Sequence, residues 1–510
     1  MRAVRATAGA ALLSALVHLQ VLVILLSTRR RANGREARHN VLMLMPYAPS
    51  AAPLTRLADG TVKQISPFTG TEVWTVPGRG NRPISHPVAE VHRLAHDERT
   101  SACAFCSDRY LETPPEKSRI VRRPTPEGEP GVHAPEAPAS PGEDLDQPAF
   151  ERIDAVAASA LFDTVAEFRR IPNLFEIVSF DYWRANHGYE LPDGARARLD
   201  AYLADPAGAE HAAAVARAKM RASGTDPGAW DTMNTTARRA FLAPFFAGGH
   251  DVIVARRHFT DDAVDSSALA GSGTLSVAEH RAYTHLAVDS ARSLYEANRW
   301  VRYVAVFQNW LRPAGASFDH LHKQMVAIDE RGVSAELELQ KVRANPNLYN
   351  EMGVDYAAYN GLLVASNEHA VAFAGFGHRY PTLEVYSTSA TCEPWLMSRE
   401  EVDAVSDLLH ALHAATGADV PCNEEWHHRP IDVDQPMPWH ITLKWRVSTL
   451  AGFEGGTKIY LNTIDPWNLR ARVVERLEDL RAEGRIAPMA VGQECPMTPN
   501  RLMYNPVLGR

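Results

Sequence analysis

Ser317–Asp329 reads SFDHLHKQMVAID, with His320, His322 and Gln324 at i, i+2 and i+4. On an extended strand successive side chains alternate, so these three share one face. That face is either a half-exposed polar surface or a reactive one. A neutral histidine with one nitrogen hydrogen-bonded and the other free is a competent nucleophile, and phosphorus suits it as an electrophile. Gln324 can donate to a phosphoryl oxygen but cannot deliver a proton. The combination favours transfer to a second phosphate over hydrolysis. Cys103 and Cys106, in CAFC, offer two thiolates at zinc spacing. The pair alone is half a metal site and reads equally as a redox dithiol. His258 and His320 are candidates to complete it. A Cys103, Cys106, His258 and His320 set would be closed and tetrahedral, hence structural.

Other elements must position these residues. DVIVA (251–255) and WVRYVAVFQN (300–309) read as strands, and residues 276–299 between them as a long helix. SREEVDAVSDLLHALHAAT (398–416) reads as a second helix, leading to NEEWHHRP and the strand WHITLKWRV. Strand–helix–strand units with a histidine-bearing strand therefore occur twice, which points to a duplicated α+β unit. EVWTV reads as a short strand between turns, and residues 195–236 as an alanine-rich helical decoration. Residues 117–148, rich in Pro, Gly and Glu, read as a disordered insertion. The expected segmentation is 1–40, an N-terminal half at 60–330 carrying that insertion, a C-terminal half at 331–470, and a tail at 471–510.

The chain of 510 residues carries a net charge of −8. Seven arginines and one glutamate fall in residues 1–40, so the remainder carries about −14. An acidic body argues against broad nucleic-acid binding, which needs a basic face. Five cysteines are too few for a disulfide framework at this length, and suit a reducing compartment. Ala6–Ser27 is uncharged and long enough to span a bilayer, and arginines follow it. It reads either as a signal anchor holding the body on the cytoplasmic side, or as sequence upstream of a later start at Met43 or Met45. Both readings place the body in the cytoplasm.

VFQNWLRPAGASFDHLHKQ resembles the active-site stretch of the galactose-1-phosphate uridylyltransferase family, within the histidine-triad superfamily. Asn309, Gly315, Ser317, His320, His322 and Gln324 fall at that family's spacing. Further similar stretches follow in the family's order along the chain. They are PFTGTEVWTVPGRGNRP (Arg79, Arg82), CAFCSDRYLETPPE, RRIPNLFE (Asn173), GGHDVIVARRHF (His258), CNEEWHHRP (His427) and WHITLKWRVSTLAGFEGGTKIYLN (His440, Glu454).

The resemblance implies an α+β fold of two histidine-triad-like halves, each an antiparallel sheet with flanking helices. It implies that His322 attacks the α-phosphorus of a nucleotide sugar, aided by Gln324 and Ser317. The His320 carbonyl would orient the His322 ring. Arg79 and Arg82 would contact phosphate, while Asn173, Asn309 and Glu454 would bind substrate. Zinc would sit on Cys103, Cys106, His258 and His320. Some family members hold a second metal. Glu338, His427 and His440 match three of its positions, but Thr442 occupies the fourth, so a polar hydrogen-bonded cluster is the expectation there. Lys323 stands where the family has glycine, and is expected beside the phosphate. The implied reaction moves a nucleoside monophosphate from a nucleotide sugar to a sugar 1-phosphate. The alternatives are a phosphorylase using inorganic phosphate and a non-catalytic, zinc-stabilised nucleotide-binding protein. Ser448 and Tyr460 bring the loop around Glu454 closer to the phosphorylase branch. In the family two subunits complete each sugar site, so a homodimer is expected.

Overall fold

Runs rich in β-branched and aromatic residues pack well on a pleated surface and form the strands here. The computed structural model describes residues 52–78, 91–123, 149–448 and 450–506. The described residues from Arg56 onward form one compact unit. Its first strands are β1 (Val62–Ile65), β2 (Glu72–Thr75), β3 (Ser118–Arg122), β4 (Phe150–Asp154) and β5 (Ala166–Pro172). Then come β6 (His250–Ala255), β7 (Tyr303–Trp310) and β8 (His322–Ile328). The later strands are β9 (Leu363–Ser366), β10 (Ala370–Ala374), β11 (Thr382–Ser387), β12 (Cys422–His427), β13 (His440–Trp445), β14 (Ile459–Leu461) and β15 (Ala490–Val491).

Twelve strands make one sheet, ordered β15-β9-β10-β11-β13-β12-β7-β8-β6-β5-β3-β4. The register carries the internal duplication. Gln324 on β8 lies opposite Val252 on β6 and Phe307 on β7. Thr442 on β13 lies opposite Glu384 on β11 and Glu425 on β12. Each half is thus two strands, a helix and two strands in the same order. The halves join where β7 and β12 pair antiparallel, with Phe307 opposite Glu425. The same correspondence sets His440 against His322. The expected fold of two antiparallel α+β halves is what forms.

The two central helices are α6 (Val277–Ala297) and α8 (Arg399–Thr416). Each starts at a serine with a reciprocal glutamate, Ser276 with Glu279 and Ser398 with Glu401. Such caps satisfy amide groups that the first helical turn leaves open. The helices pack on one another through Arg281–Asp407 and His285–Asp403. Ahead of α6 run α1 (Phe180–His187), α2 (Asp193–Ala204), α3 (Pro206–Ala222), α4 (Thr235–Leu242) and α5 (Pro244–Ala247), of which α2, α3 and the start of α4 cover the decoration expected at 195–236. Between α6 and α8 lies α7 (Val333–Ala344). After α8 come α9 (Gly452–Thr457) and α10 (Pro466–Ala482).

Two boundaries differ from the sequence reading. Ser118–Arg122, placed within the insertion, is strand β3, with Ser118 and Arg119 fully buried. Arg119 escapes its burial cost by donating to Glu116 and to the carbonyls of Leu161 and Thr164. Of that insertion, residues 124–148 lie outside the described residues. The supposed tail begins inside α10, whose Leu469, Val473, Leu477 and Leu480 are buried. That spacing is one helical stripe, and each such side chain contributes roughly 1.5–3 kcal/mol by leaving water. Ala6–Ser27 also lies outside the described residues. Among the described residues no helix is long and apolar enough to cross a membrane.

Candidate active site

His322 opens β8 and is 5% exposed. Its Nδ1–H donates to the His320 carbonyl at 2.8 Å. A carbonyl can only accept, so the proton sits on Nδ1 and Nε2 carries the lone pair. Burial pushes the ring's pKa down, which keeps it neutral and nucleophilic. Phe105 packs near it, with ring centroids 5.4 Å apart, and also contacts Phe318 at 4.6 Å. Ile171, Val252 and Val254 form a small apolar floor with Phe105.

Gln324 stands two residues on, on the same face. Its Oε1 lies 3.0 Å from His250 Nε2. The other nitrogen of His250 accepts the Ile177 amide at 3.2 Å. The neutral ring therefore carries its proton on Nε2 and donates it to Gln324. Burial holds His250 in that neutral form. With Oε1 engaged, the Gln324 amide nitrogen is the end left to donate outward. Asn173 Nδ2 lies 3.1 Å from the same His250 nitrogen, and Asn173 Oδ1 accepts from the Phe175 amide at 2.9 Å. The sequence reading did not single out His250. The signal was present, since alternation puts it on the face of Val252, but only the β6–β8 register sets Val252 opposite Gln324.

Cys103, Cys106, His258 and His320 converge, with their donor atoms within 4.8 Å of one another. Cys103 Sγ lies 3.9 Å from Cys106 Sγ and 3.4 Å from His320 Nδ1. Cys106 Sγ lies 3.6 Å from His258 Nδ1 and 3.8 Å from His320 Nδ1. A tetrahedral site with metal–sulfur bonds of about 2.3 Å and metal–nitrogen bonds of about 2.0 Å has edges of roughly 3.3–3.8 Å. The donor set fits a metal ion. His320 Nε2–H donates to the Ala255 carbonyl at 2.7 Å, which aims Nδ1 at the thiols. Hydrogen bonding between the two thiols pushes Cys106 down and Cys103 up. Both ionise together only with a cation between them.

The remaining expected residues divide. Asn309 lies one residue before the end of β7 and accepts from Asn423 Nδ2 at 2.7 Å. Ser317 is exposed in the loop leading to His320. Glu454 lies on α9, where its carboxylate accepts from the Ala451 amide at 3.1 Å and caps its own helix. Arg79 and Arg82 lie outside the described residues.

Lys323 is a correction. Alternation sends it to the face opposite His322, under the helices, fully buried. Its ammonium pairs with Glu424 and lies 4.8 Å from the ring centroids of both Tyr283 and Trp426. His413 donates to the other Glu424 oxygen at 2.8 Å. Lys323 is therefore not beside a phosphate; it neutralises a buried carboxylate.

In the second half, His440 repeats the His322 arrangement, with Nδ1 donating to the Pro438 carbonyl at 3.0 Å. Its ring stacks between Tyr386 and His427. Glu338, His427 and His440 line a cavity of about 410 Å³. Among the described residues the group of donor atoms lying within 4.8 Å of one another is that of Cys103, Cys106, His258 and His320, and these three fall outside it. Glu338 instead accepts from the Tyr349 hydroxyl at 2.8 Å, and burial pushes its pKa up to about 7.

An ADP-glucose phosphorylase of Arabidopsis thaliana is 27% identical over 180 residues, spanning 32% of this chain and half of that enzyme's length. A crystal structure of an ADP-glucose phosphorylase from Arabidopsis thaliana with bound ADP-glucose is 16% identical, with a TM-score of 0.48, covering 81% of this chain and 97% of that one. A uridylyltransferase structure is 20% identical, with a TM-score of 0.37, covering 45% of this chain and 75% of that one. Residues 57–504 match the family described as "Domain of unknown function (DUF4921)", and the chain belongs to that family.

Proposed function

We propose that the protein is a nucleotidyltransferase that passes a nucleoside monophosphate from a nucleotide sugar to a phosphorylated acceptor through a covalent bond to His322. The observation that carries this reading is the pairing of His322, its lone pair on Nε2, with Gln324, its amide nitrogen turned outward on the same face.

His322 Nε2 attacks the α-phosphorus. A P–N bond forms as the P–O bond to the sugar 1-phosphate breaks, and the sugar 1-phosphate leaves with the bonding electrons. A phosphate monoester needs no added proton to leave at neutral pH. Nδ1 keeps its proton, so the nucleotidyl ring is cationic, and the His320 carbonyl stabilises it. Gln324 donates to a non-bridging oxygen where charge develops, a task that the loop residue Ser317 would share. An acceptor phosphate oxygen then attacks the same phosphorus and frees His322, in ping-pong order. Gln324 cannot activate water by taking its proton, so hydrolysis is slow. Cys103, Cys106, His258 and His320 would hold zinc, which when bound supplies a structural tie and no step of the chemistry.

The similarity to an ADP-glucose phosphorylase favours inorganic phosphate as acceptor. The order of motifs shared with uridylyltransferases supports a sugar 1-phosphate as the second reading. Incubation with ADP-glucose or UDP-glucose labelled at the α-phosphate should leave acid-labile, alkali-stable label on the protein, absent in His322→Asn. Chasing with phosphate or with glucose 1-phosphate identifies the acceptor by which one discharges the label. No adduct with any nucleotide sugar would sink the reading.

A further inference from the structure

On the far side of the sheet a cavity of about 420 Å³ opens between β5, the start of α2 and the end of α6. Its position follows from register. Arg170 on β5 lies opposite Ile253, which lies opposite Lys323, so all three face the helix layer and not the His322 face. Lys117, Arg152, Arg170 and Arg198 line the cavity, against the single lining carboxylate of Asp154.

Asp251, fully buried behind the wall, is shared by two of these cations. Lys117 Nζ lies 2.6 Å from its Oδ1, and Arg170 Nε 2.8 Å from its Oδ2. Arg152 pairs with Asp154 at 2.9 Å and with Asp289 at 3.2 Å, both exposed acids. Arg198 donates to the Phe246 carbonyl at 2.9 Å, and among the described residues no carboxylate pairs with it. Of the three inner cations, two share Asp251, and Arg198 has no carboxylate partner among the described residues. Burial, and then the charge of Arg170, push the Arg198 guanidinium down. Lys117 is pushed down by burial, against the pull of Asp251, and by the charges of Arg170 and Arg198.

A second source of positive potential points the same way. Helix α2 follows Pro192, which offers no side-chain cap; Asp193 of its first turn points to solvent, and Gly194 and Ala195 line the cavity. Open amide groups at a helix start favour an anion. A Cβ at Gly194 would meet nothing within 4 Å, so the approach there is open.

We propose that this cavity is a second binding site, for a small phosphate-class anion, either free phosphate or a sugar phosphate. Arg198 is its free donor, and Arg170 and Lys117 supply fixed charge from behind. An arginine fork suits tetrahedral oxyanions. The site lies on the face opposite His322, so its occupancy is non-catalytic. It stands independently of the reaction assigned to His322.

Equilibrium dialysis of radiolabelled inorganic phosphate against the full-length chain at fixed ionic strength tests it. A phosphate site should persist in Gln324→Ala and weaken roughly tenfold to a hundredfold in Arg198→Gln, with Arg198→Lys restoring part of the binding. Displacement of the label by glucose 1-phosphate in Gln324→Ala identifies a site that takes the ester, and failure to displace it one that takes free phosphate; both uphold the site. Unchanged binding in Arg198→Gln, or none in Gln324→Ala, overturns it. Wild-type crystals soaked in selenate give a reading that no variant's folding can disturb. An anomalous peak between Arg170 and Arg198 is expected, and its absence overturns the site.

Discussion

His250 lies in the GGHDVIVARRHF stretch, of which only His258 was singled out, yet it decides which end of the Gln324 amide faces outward. Without its Nε2–H at 3.0 Å the amide has no reason to prefer one orientation. Removing a donor aimed at developing charge costs about 10²–10³ in rate, and Gln324→Ala should fall in that range. His250→Ala should lose about tenfold or more in the rate of forming the labelled adduct, with nucleotide-sugar affinity little changed. The double variant should be no slower than Gln324→Ala alone, because both act on one donor. Additive losses in single-turnover measurements would show that His250 works elsewhere. The shared face of His322 and Gln324 and the CAFC pair were legible because each needs only alternation along one strand or a short local spacing. His250 needed the pairing partner of its strand.

At the scale of elements, β8 carries two chemistries on two faces. Its outward face bears His322 and Gln324, and its inward face bears Lys323, clamped to Glu424 of β12. Burial pushes Lys323 down, while Lys323 and His413 hold Glu424 well below the usual carboxylate range. The pair ties β8 to β12 and, through His413, to α8. Breaking a buried pair by removing one partner costs about 3–5 kcal/mol, because the other charge is left unpaired. Lys323→Met should therefore lower stability by about that amount in urea titrations, and Lys323→Met with Glu424→Gln should recover part of it. The adduct-forming rate of the folded Lys323→Met protein should be near that of the parent. A rate collapse without a stability change would return Lys323 to the reactive face. The fully buried β6, with polar His250 and Asp251 at its start, shows why burial alone does not identify a face.

For the whole molecule, the layer between α6, α8 and the sheet holds histidines kept neutral by burial. His410 donates Nε2–H to the Leu275 carbonyl and is pushed down to about 4. His428 is pushed down to about 3. A base whose folded pKa is depressed binds its proton in the unfolded chain first. Stability is then flat above about pH 7 and falls as pH drops through the ordinary histidine range. For His410 the loss is complete near pH 4 and amounts to about 3 kcal/mol. Denaturation midpoints should fall from pH 7.5 to pH 5, and His410→Gln should flatten that fall. A pH-independent midpoint over this range would contradict the neutral buried layer.

Local spacing alone indicated the shared face of His322 and Gln324, the CAFC half-site, the two serine-started helices and the repeated strand–helix order, while His320 lies just before the strand. Each is written within a dozen or two residues, where period, capping and side-chain alternation act. Tertiary structure alone brought His258 and His320 to the two thiols, set His250 against Gln324, and turned Lys323 inward onto Glu424. It also gathered Lys117, Arg170 and Arg198 around one cavity, and made α10 part of the body. These depend on which strand pairs with which, and in what register. Burial of the whole sheet fixes that register, and no short segment encodes it.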